Sequence, residues 1–260
     1  MVVVITGGFS GFGAAVARRL LETSPTSRVC VVDRKPLDQA GTVAALQRQF
    51  GSDRVLIVPG VDVTSYESFA GAFLQAQRSF GPVIGVVNNA GLGEGSTVFN
   101  GPPGSDAAVD AKAWRRTIDV DLLGVVFGVA LALRYAADGC SVVNVASLAG
   151  LIPMSIQPVY SAAKAGVIML TKAAARSSEA RRRDIAVSCI CPGFVDTALL
   201  NDGKRAVDGF TEAVSSAGTV PIDVVVTGIV ALLNDRPNGR VVLASPKRGL
   251  IDATRPGPKL

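Results

Sequence analysis

A tyrosine and a lysine stand one helical turn apart in PVYSAAK, residues 158–164. If this segment is helical, positions i and i+4 share a face, so Lys164 lies beside the Tyr160 ring. A neighbouring ammonium favours the phenolate and is expected to lower the pKa of Tyr160 from its ordinary value of about 10 toward neutrality. Such a phenol can take a proton from an alcohol or return one to a ketone, in a chain that has no histidine. A packed helix with an unrelated tyrosine and lysine is the alternative.

A glycine-rich turn near the N-terminus predicts a dinucleotide site. The strand-like run VVVI leads into TGGFSGFG, residues 6–13, and AAVARRLLE continues as a helix. Glycines there allow a tight turn and let a pyrophosphate approach the free N–H groups at the positive end of the helix. An ordinary glycine-rich turn is the alternative, but the strand before it and the helix after it favour the nucleotide.

Acidic residues after the next two strands predict the adenosine contacts of the coenzyme. Asp33 follows the glycine-rich turn by about 20 residues, where a carboxylate accepts hydrogen bonds from ribose hydroxyls and repels a 2′-phosphate. NAD is therefore favoured over NADP, although Arg34 and Lys35 follow directly and soften the preference. Asp62, with Val63 beside it, is a candidate partner for the adenine amino group, and a helix N-cap is an equal alternative for Asp62.

Short apolar runs alternate with helix-like segments along the whole chain. This order predicts an α/β fold with a doubly wound parallel sheet of about seven strands and helices on both faces. The predicted strands are 2–5, 28–33, 54–62, 83–88, 141–147, 185–191 and 239–245, and the predicted helices are 12–22, 65–79, 113–137, 159–180 and 222–234.

Composition indicates one folded domain over residues 1–260. Apolar residues make up 48% of the chain and charged residues 18%. The net charge of +5 is modest, and we interpret the basic run 181–183 as a solvated helix end, so no nucleic acid partner is expected. Four cysteines without histidine favour small buried hydrophobes over a metal site. No apolar run reaches the ~20 residues of a membrane span.

Five motifs in a fixed order resemble the short-chain dehydrogenase/reductase family. They are TGGFSGFG at 6–13, NNAG at 88–91, Ser147 placed 13 residues before the tyrosine, Tyr-x-x-x-Lys at 160–164, and Pro192-Gly193. The resemblance extends over nearly the whole chain. It implies a Rossmann-type fold and a nicotinamide-dependent oxidoreductase acting on CH–OH groups.

The resemblance also assigns roles to individual side chains. It implies that Tyr160 is the acid/base, that Ser147 hydrogen-bonds the reacting oxygen, and that Lys164 holds the nicotinamide ribose. Gln157 would be a second partner of the substrate hydroxyl, or else a cap of the helix that follows it. The implied NAD contacts are Gly7, Gly8, Phe9, Ser10, Gly11, Phe12, Gly13, Asp33, Arg34, Asp62, Val63, Asn89, Ala90, Gly91, Tyr160, Lys164, Pro192, Gly193, Val195 and Thr197.

One position departs from the family pattern. The stretch IDVDLLGVVFG resembles the segment that carries a catalytic asparagine, but the residue here is Asp121. In the family, the backbone carbonyl at this position holds a water in a proton relay, and that carbonyl survives the change. An ionised carboxylate donates no hydrogen bond, and its charge is expected to act on Lys164. Asp121 is therefore a candidate catalytic residue.

The resemblance implies a secondary alcohol or ketone on a largely apolar molecule, such as a hydroxy-fatty acid or a prostaglandin-like or steroid-like compound. The Gly- and Pro-rich segment 91–112 is expected to be a flexible loop, and 198–220 is expected to be a substrate lid. Two alternatives remain open. One is a catalytically impaired regulatory or scaffold protein that binds nucleotide, suggested by Asp121. The other is an NADPH-favouring carbonyl reductase.

Assembly and location are the remaining expectations. The apolar stretches 122–133 and 165–175 resemble the helices through which family members pair, so a homodimer or homotetramer is expected. The chain opens on MVVVITGG without a basic leader, so the cytoplasm is the expected location. The terminal Pro-Lys-Leu is a weak peroxisomal alternative.

Overall fold

The protein is built around one sheet, seen in a computed structural model that describes residues 1–39, 41–94, 111–197, 200–201 and 209–254. The predicted loop 91–112 and lid 198–220 lie partly outside the described residues, and the terminal Pro-Lys-Leu lies wholly outside them. The strands are β1 (Val2–Thr6), β2 (Arg28–Val32), β3 (Val55–Val58), β4 (Gly85–Asn88), β5 (Ser141–Val145), β6 (Ala186–Pro192), β7 (Val241–Ser245) and β8 (Gly249–Asp252).

The sheet has the order β3-β2-β1-β4-β5-β6-β7-β8. Strands β1 to β7 pair in parallel, and β8 runs antiparallel to β7. The predicted α/β, doubly wound parallel sheet is confirmed, but the predicted strand number is one too low. The missed strand β8 has four residues that alternate between half-buried and exposed, so it carries no sustained apolar run.

Helices cover both faces of the sheet. In the part of the chain that the structure describes they are α1 (Gly11–Thr23), α2 (Gly41–Phe50), α3 (Tyr66–Phe80), α4 (Ala111–Ile118), α5 (Gly124–Tyr135), α6 (Pro158–Ala175), α7 (Ser178–Arg182), α8 (Phe210–Ala217) and α9 (Ile222–Asp235). The helix predicted over 113–137 is observed as one helical run from Ala111 to Tyr135, but a π-helical turn, Asp119–Leu123, interrupts it between α4 and α5. The helix predicted over 159–180 ends at Ala175, and α7 follows it.

Alternate side chains of the central strand build two separate cores. In β1, Val2 and Val4 pack on the face covered by α3, α5 and α6, whereas Val3 and Ile5 pack on the face covered by α1 and α9. Successive side chains of a strand point to opposite faces, so a strand covered on both sides needs apolar residues at every position. This requirement explains the uninterrupted run VVVI.

The basic run 181–183 is only partly the solvated helix end that its composition indicates. Arg181 and Arg182 are exposed in the last turn of α7. The Arg183 guanidinium instead donates to the Leu133 carbonyl at 2.7 Å and to Asp138 at 2.8 Å. Its side chain is only 14% exposed, so Arg183 ties the end of α5 to the segment after α7.

All four cysteines are buried and none forms a disulfide. Burial raises the pKa of the Cys30 and Cys140 thiols to about 12. Among the described residues, no three His, Cys, Asp or Glu side chains are grouped so that they could hold a metal ion. Within the same residues, no single helix has both the length and the apolar character of a membrane span, although α8 and α9, bent at 75°, meet that test as a pair.

The connections leave β1 in two directions, because β2 pairs on one side of it and β4 on the other. In an open parallel sheet, this reversal creates a crevice at the carboxyl ends of the strands. The carboxyl ends of β1, β4, β5 and β6 therefore bring Thr6, Asn88, Val145 and Pro192 to one edge of the sheet.

Candidate active site

Ser147, Tyr160 and Lys164 meet at this edge. Ser147 follows β5, and its Oγ accepts a hydrogen bond from the Ala149 N–H at 3.2 Å. Tyr160 and Lys164 lie one turn apart on α6, and both are buried. The Ser147 side chain lies near enough to the Tyr160 hydroxyl to lower the pKa of the phenol. The Lys164 Nζ lies 5.5 Å from the centre of the Tyr160 ring.

A glycine lets the serine segment approach the tyrosine helix closely. Ser147 caps a short 3-10 turn, Leu148–Gly150, that packs against α6. A Cβ on Gly150 would lie 2.6 Å from the Lys164 carbonyl carbon, which is closer than a side chain can approach backbone. Any larger residue would separate the serine from the phenol.

Asp121 forms a buried ion pair with Lys164. Its Oδ1 lies 3.0 Å from the Lys164 Nζ, and the two side chains are 0% and 4% exposed. The carboxylate also accepts from the Leu92 N–H at 3.1 and 3.2 Å. Gly91 makes room for it, because a Cβ there would lie 2.7 Å from Oδ1. Asp121 therefore touches the site through Lys164, in the π-helical turn between α4 and α5.

The charges around the phenol oppose each other. Burial is the largest influence on the pKa of Tyr160 and raises it. Lys164 lowers this pKa, Asp121 raises it, and the nearby Ser147 side chain lowers it. The net direction is upward. The lysine effect expected from the sequence is present, but in the coenzyme-free protein burial and Asp121 outweigh it. Burial also opposes the charge on Lys164, yet Asp121 and Tyr160 raise the pKa of Lys164, which keeps it protonated.

The glycine-rich turn is joined to NNAG by hydrogen bonds. The Thr6 Oγ1 accepts from the N–H groups of Asn89 and Ala90, each at 3.0 Å. In return, the Asn89 side-chain amide donates to the carbonyls of Thr6 at 2.8 Å and Gly7 at 3.0 Å. A Cβ on Gly7 would lie 2.8 Å from the Ala90 Cα, so the two segments need a glycine at this contact.

Two acidic residues flank the same crevice. The Asp33 carboxylate accepts from the Phe9 N–H at 3.1 Å and the Lys35 N–H at 3.0 Å, which fixes the glycine-rich turn to the end of β2. Asp62 accepts from the backbone and hydroxyl of Thr64 at 2.9 and 2.8 Å. The N-cap of α3 is Ser65, so Asp62 is not the helix cap.

One cavity of about 1080 Å³ connects these features. The predicted residues that line it are Gly7, Ser10, Gly11, Phe12, Asp33, Arg34, Asp62, Val63, Asn89, Ala90, Gly91, Ser147, Gln157, Tyr160, Lys164, Pro192, Gly193, Val195 and Thr197. Four others stand behind the wall. Gly8 and Gly13 pack against neighbouring backbone or side chains, Phe9 is in the core, and Asp121 lies behind Lys164.

Several cavity residues escape sequence reasoning. Phe194 and Phe210 pack edge to face at 5.5 Å, and together with Leu200 and Met154 they form an apolar wall. Isolated apolar residues far apart in the chain give no sequence signal. Glu94 also lines the cavity, and its Oε2 accepts from the Tyr160 backbone N–H at 2.9 Å. The Gln157 side chain makes no capping hydrogen bond, so Glu94 rather than Gln157 caps α6.

Comparison with known proteins agrees with this geometry. The family model described as short chain dehydrogenase matches residues 1–209. The chain belongs to the short-chain dehydrogenase family. Its structure is similar to a crystal structure of levodione reductase, with a TM-score of 0.79, 26% identity, and coverage of 95% of this chain and 97% of that one.

Curated relatives within the family are dehydrogenases. The chain is 27% identical to human 15-hydroxyprostaglandin dehydrogenase [NAD(+)] over 264 residues, which covers 96% of this chain and 92% of the relative. It is 38% identical to cis-4-hydroxycyclohexanecarboxylate dehydrogenase of Sinomonas cyclohexanicum over 201 residues, or 76% of this chain and 75% of the relative. The protein is therefore an oxidoreductase of the alcohol/ketone type.

Proposed function

We propose that the protein is an NAD-dependent oxidoreductase that interconverts a secondary alcohol and a ketone on a largely apolar substrate, with Tyr160 as the acid/base. The observation that carries this proposal is the meeting of Ser147, Tyr160 and Lys164 on the wall of a cavity that reaches the glycine-rich turn. The alternative of a tyrosine and lysine placed at random in a packed helix does not explain the serine at the phenol.

The residues at the glycine-rich turn fit a dinucleotide. Ser10 precedes α1 and makes no side-chain cap, so the first N–H groups of the helix are left for another acceptor. Gly11 has a φ of 55°, and the space where its Cβ would lie has no atom within 4 Å. A phosphate group matches both features. Ser10 and Gly11 would hold the pyrophosphate, and Asp33 would accept from the adenosine ribose.

Tyr160, Ser147 and Lys164 would each have a separate role in the reaction. NAD bound here supplies the hydride acceptor, and its reduced form the donor. Tyr160 takes the hydroxyl proton as the alcohol becomes a ketone and returns it in the reverse direction. Because the Ser147 Oγ already accepts from the backbone, its own hydrogen is available for the reacting oxygen. Two of the three N–H groups of the Lys164 ammonium donate to Asp121 and to the Val145 carbonyl, which leaves the third for a ribose hydroxyl.

The preference for NAD rests on Asp33. A carboxylate at this wall repels a 2′-phosphate, whereas the neighbouring Arg34 and Lys35 are exposed and free to turn toward one. An NADPH-favouring reductase is the alternative that these two residues keep open. If kcat/KM is higher with NADP than with NAD, the proposed NAD preference is wrong and NADP is the coenzyme.

The proposed substrate class rests on the apolar wall. Phe194, Phe210, Leu200 and Met154 line the same cavity as Tyr160 and Gln157, so a substrate held at Tyr160 is expected to meet apolar side chains. Gln157 is buried there, and its amide is available to a substrate oxygen. Hydroxy-fatty acids, prostaglandin-like compounds and steroid alcohols fit this description.

The experiment is a coenzyme and substrate screen with two tyrosine variants. Reduced nicotinamide is followed by its absorbance while NAD or NADP is offered with secondary alcohols of these classes. Tyr160→Phe is expected to lower kcat by at least about 100-fold and to keep coenzyme binding, measured by thermal shift. Tyr66→Phe is the matched control, because Tyr66 packs edge-on against Phe127 outside the cavity. Unchanged turnover in Tyr160→Phe would show that Tyr160 is not the acid/base.

A second candidate function is a nucleotide-binding protein without turnover. It is favoured by the Asp121–Lys164 ion pair, which neutralises the cation beside the phenol. Coenzyme binding without turnover of any alcohol or ketone, together with activity in Asp121→Asn, would establish this function. Turnover by the unmodified protein excludes it.

A further inference from the structure

The two oxygens of the Glu94 carboxylate, which lines the cavity, have different surroundings. Its Oε2 accepts from the Tyr160 N–H, whereas its Oε1 is buried without a hydrogen-bond partner. Among the described residues, three buried side-chain atoms lack a partner, on Asn88, Glu94 and Arg236. Of these residues, only Glu94 lines the cavity. Buried polar atoms are nearly always satisfied, so a partner for Oε1 is expected to come from a molecule in the cavity.

The position of Glu94 is fixed by the site itself. Its segment is held at Leu92 by Asp121, which pairs with Lys164, and at Glu94 by the Tyr160 backbone. The carboxylate thus lies at the first turn of α6, close to both Tyr160 and Gln157. No cationic side chain of the described chain forms an ion pair with it. Burial raises the pKa of Glu94, and the backbone N–H groups at the start of α6 oppose this only in part.

We propose that Glu94 is a specificity-determining residue whose free oxygen accepts a hydrogen bond from a second hydroxyl of the substrate. This inference rests on the proposed function and narrows it, because it selects a largely apolar alcohol or hydroxyketone that carries a hydroxyl besides the reacting one. A monohydroxy substrate has no second hydroxyl to donate to Oε1, so this oxygen stays without a hydrogen-bond partner when such a substrate binds.

The test compares monohydroxy and dihydroxy substrates in Glu94→Gln. The variant keeps an amide oxygen for the Tyr160 N–H and replaces the free acceptor by a donor, so the cap of α6 is retained while the hydroxyl partner is lost. The probes are cyclohexanol with the 1,2-, 1,3- and 1,4-cyclohexanediols, and a monohydroxy steroid with a matching dihydroxy steroid. The measured quantity is the ratio of kcat/KM for the dihydroxy to the monohydroxy compound.

In the unmodified protein, at least one diol is expected to exceed its monohydroxy partner, and Glu94→Gln is expected to lower that ratio about tenfold. Glu67→Gln is the matched control, since Glu67 is exposed on α3 and absent from the cavity wall, and it should leave the ratio unchanged. The melting temperatures of the coenzyme-free variants show whether the hydrogen bond that caps α6 is kept. Glu94→Ala is expected to melt below Glu94→Gln, because only the glutamine still accepts from Tyr160.

The outcomes separate the two proposals. If alcohols are turned over but no diol is preferred, or if Glu94→Gln leaves the ratio unchanged, the inference is overturned and the proposed function stands. In that case a water molecule is the partner of Oε1. If no probe and no alcohol of the wider screen is turned over, the proposed function fails and the inference fails with it.

Discussion

At the scale of single residues, the Asp121–Lys164 pair decides the pH at which the phenol can act. The two side chains are buried together, so water screens their charges little, and Asp121 offsets the effect of the lysine on Tyr160. Alcohol oxidation needs the phenolate and ketone reduction needs the phenol. A raised pKa of Tyr160 therefore means that oxidation increases toward alkaline pH, whereas reduction persists through neutral pH.

We predict that Asp121→Asn shifts the pH profile of oxidation toward acid by about one unit, because the negative charge that raises the pKa of Tyr160 is removed. The measurement is kcat/KM for oxidation from pH 6 to 10, with the melting temperature recorded beside it. Loss of the ion pair is also expected to destabilise the fold by about 3 kcal/mol. Asp235→Asn, an exposed change at the end of α9, is the control. An unmoved profile in Asp121→Asn would contradict the assignment.

At the scale of elements, the 3-10 turn after β5 and the helix α6 form one unit. Gly150 allows the turn to touch the helix backbone at Lys164, and this contact holds Ser147 at the phenol. The elements are therefore placed by a glycine that has no side chain to take part in the reaction.

We predict that Gly150→Ala lowers the free energy of unfolding by about 1–3 kcal/mol, because its Cβ would meet backbone at 2.6 Å. Turnover should fall as well, since Ser147 must move away from Tyr160. Gly71→Ala is the matched change in the interior of α3, where no atom lies within 4 Å, and it should stabilise by about 0.5–1 kcal/mol. Chemical denaturation measures both. Equal stability of the two variants would refute the close contact.

The sequence predicts these elements unevenly, and the reasons are physical. Strands β1 to β7 and the glycine-rich turn obey local rules, so they could be predicted from short segments. The π-helical turn at 119–123 could not, because nothing in the sequence marks the change of helical register. The Asp121–Lys164 pair and the Glu94–Tyr160 contact join residues far apart in the chain, 66 positions in the second case. The family pattern points to position 121 and to an effect of its charge on Lys164, and the fold adds the direct 3.0 Å contact between the two side chains.

At the scale of the whole molecule, one face of α6 is not covered by any element among the residues that the structure describes. Ala162, Ala165, Met169 and Ala173 are exposed along it, and Met169 is 65% exposed. Small and apolar residues at this spacing form a continuous stripe on a helix. The expected homodimer would bury this stripe, since a two-fold axis brings the same surface of two copies together.

We predict a dimer or tetramer in light scattering and a smaller assembly in Met169→Glu, because a charge in the centre of the contact would lose its water. Leu37→Glu places the same charge on an apolar residue that is 58% exposed elsewhere, and it should not change the mass. A monomeric unmodified protein, or a dimer that tolerates Met169→Glu, would rule out this face.

All four cysteine thiols are buried, so their reaction with a thiol reagent reports when the folded protein opens. A reagent such as dithionitrobenzoate reacts with thiolate, and burial has removed the cysteines from solvent and raised the pKa of Cys30 and Cys140 to about 12. The native protein is expected to react hardly at all, and four equivalents should appear when urea unfolds it. The slow labelling rate without urea then measures how often the interior is exposed, with no probe attached. Rapid labelling of the native form would contradict this. An oxidant in the cell would likewise find no cysteine thiol to attack until the sheet came apart.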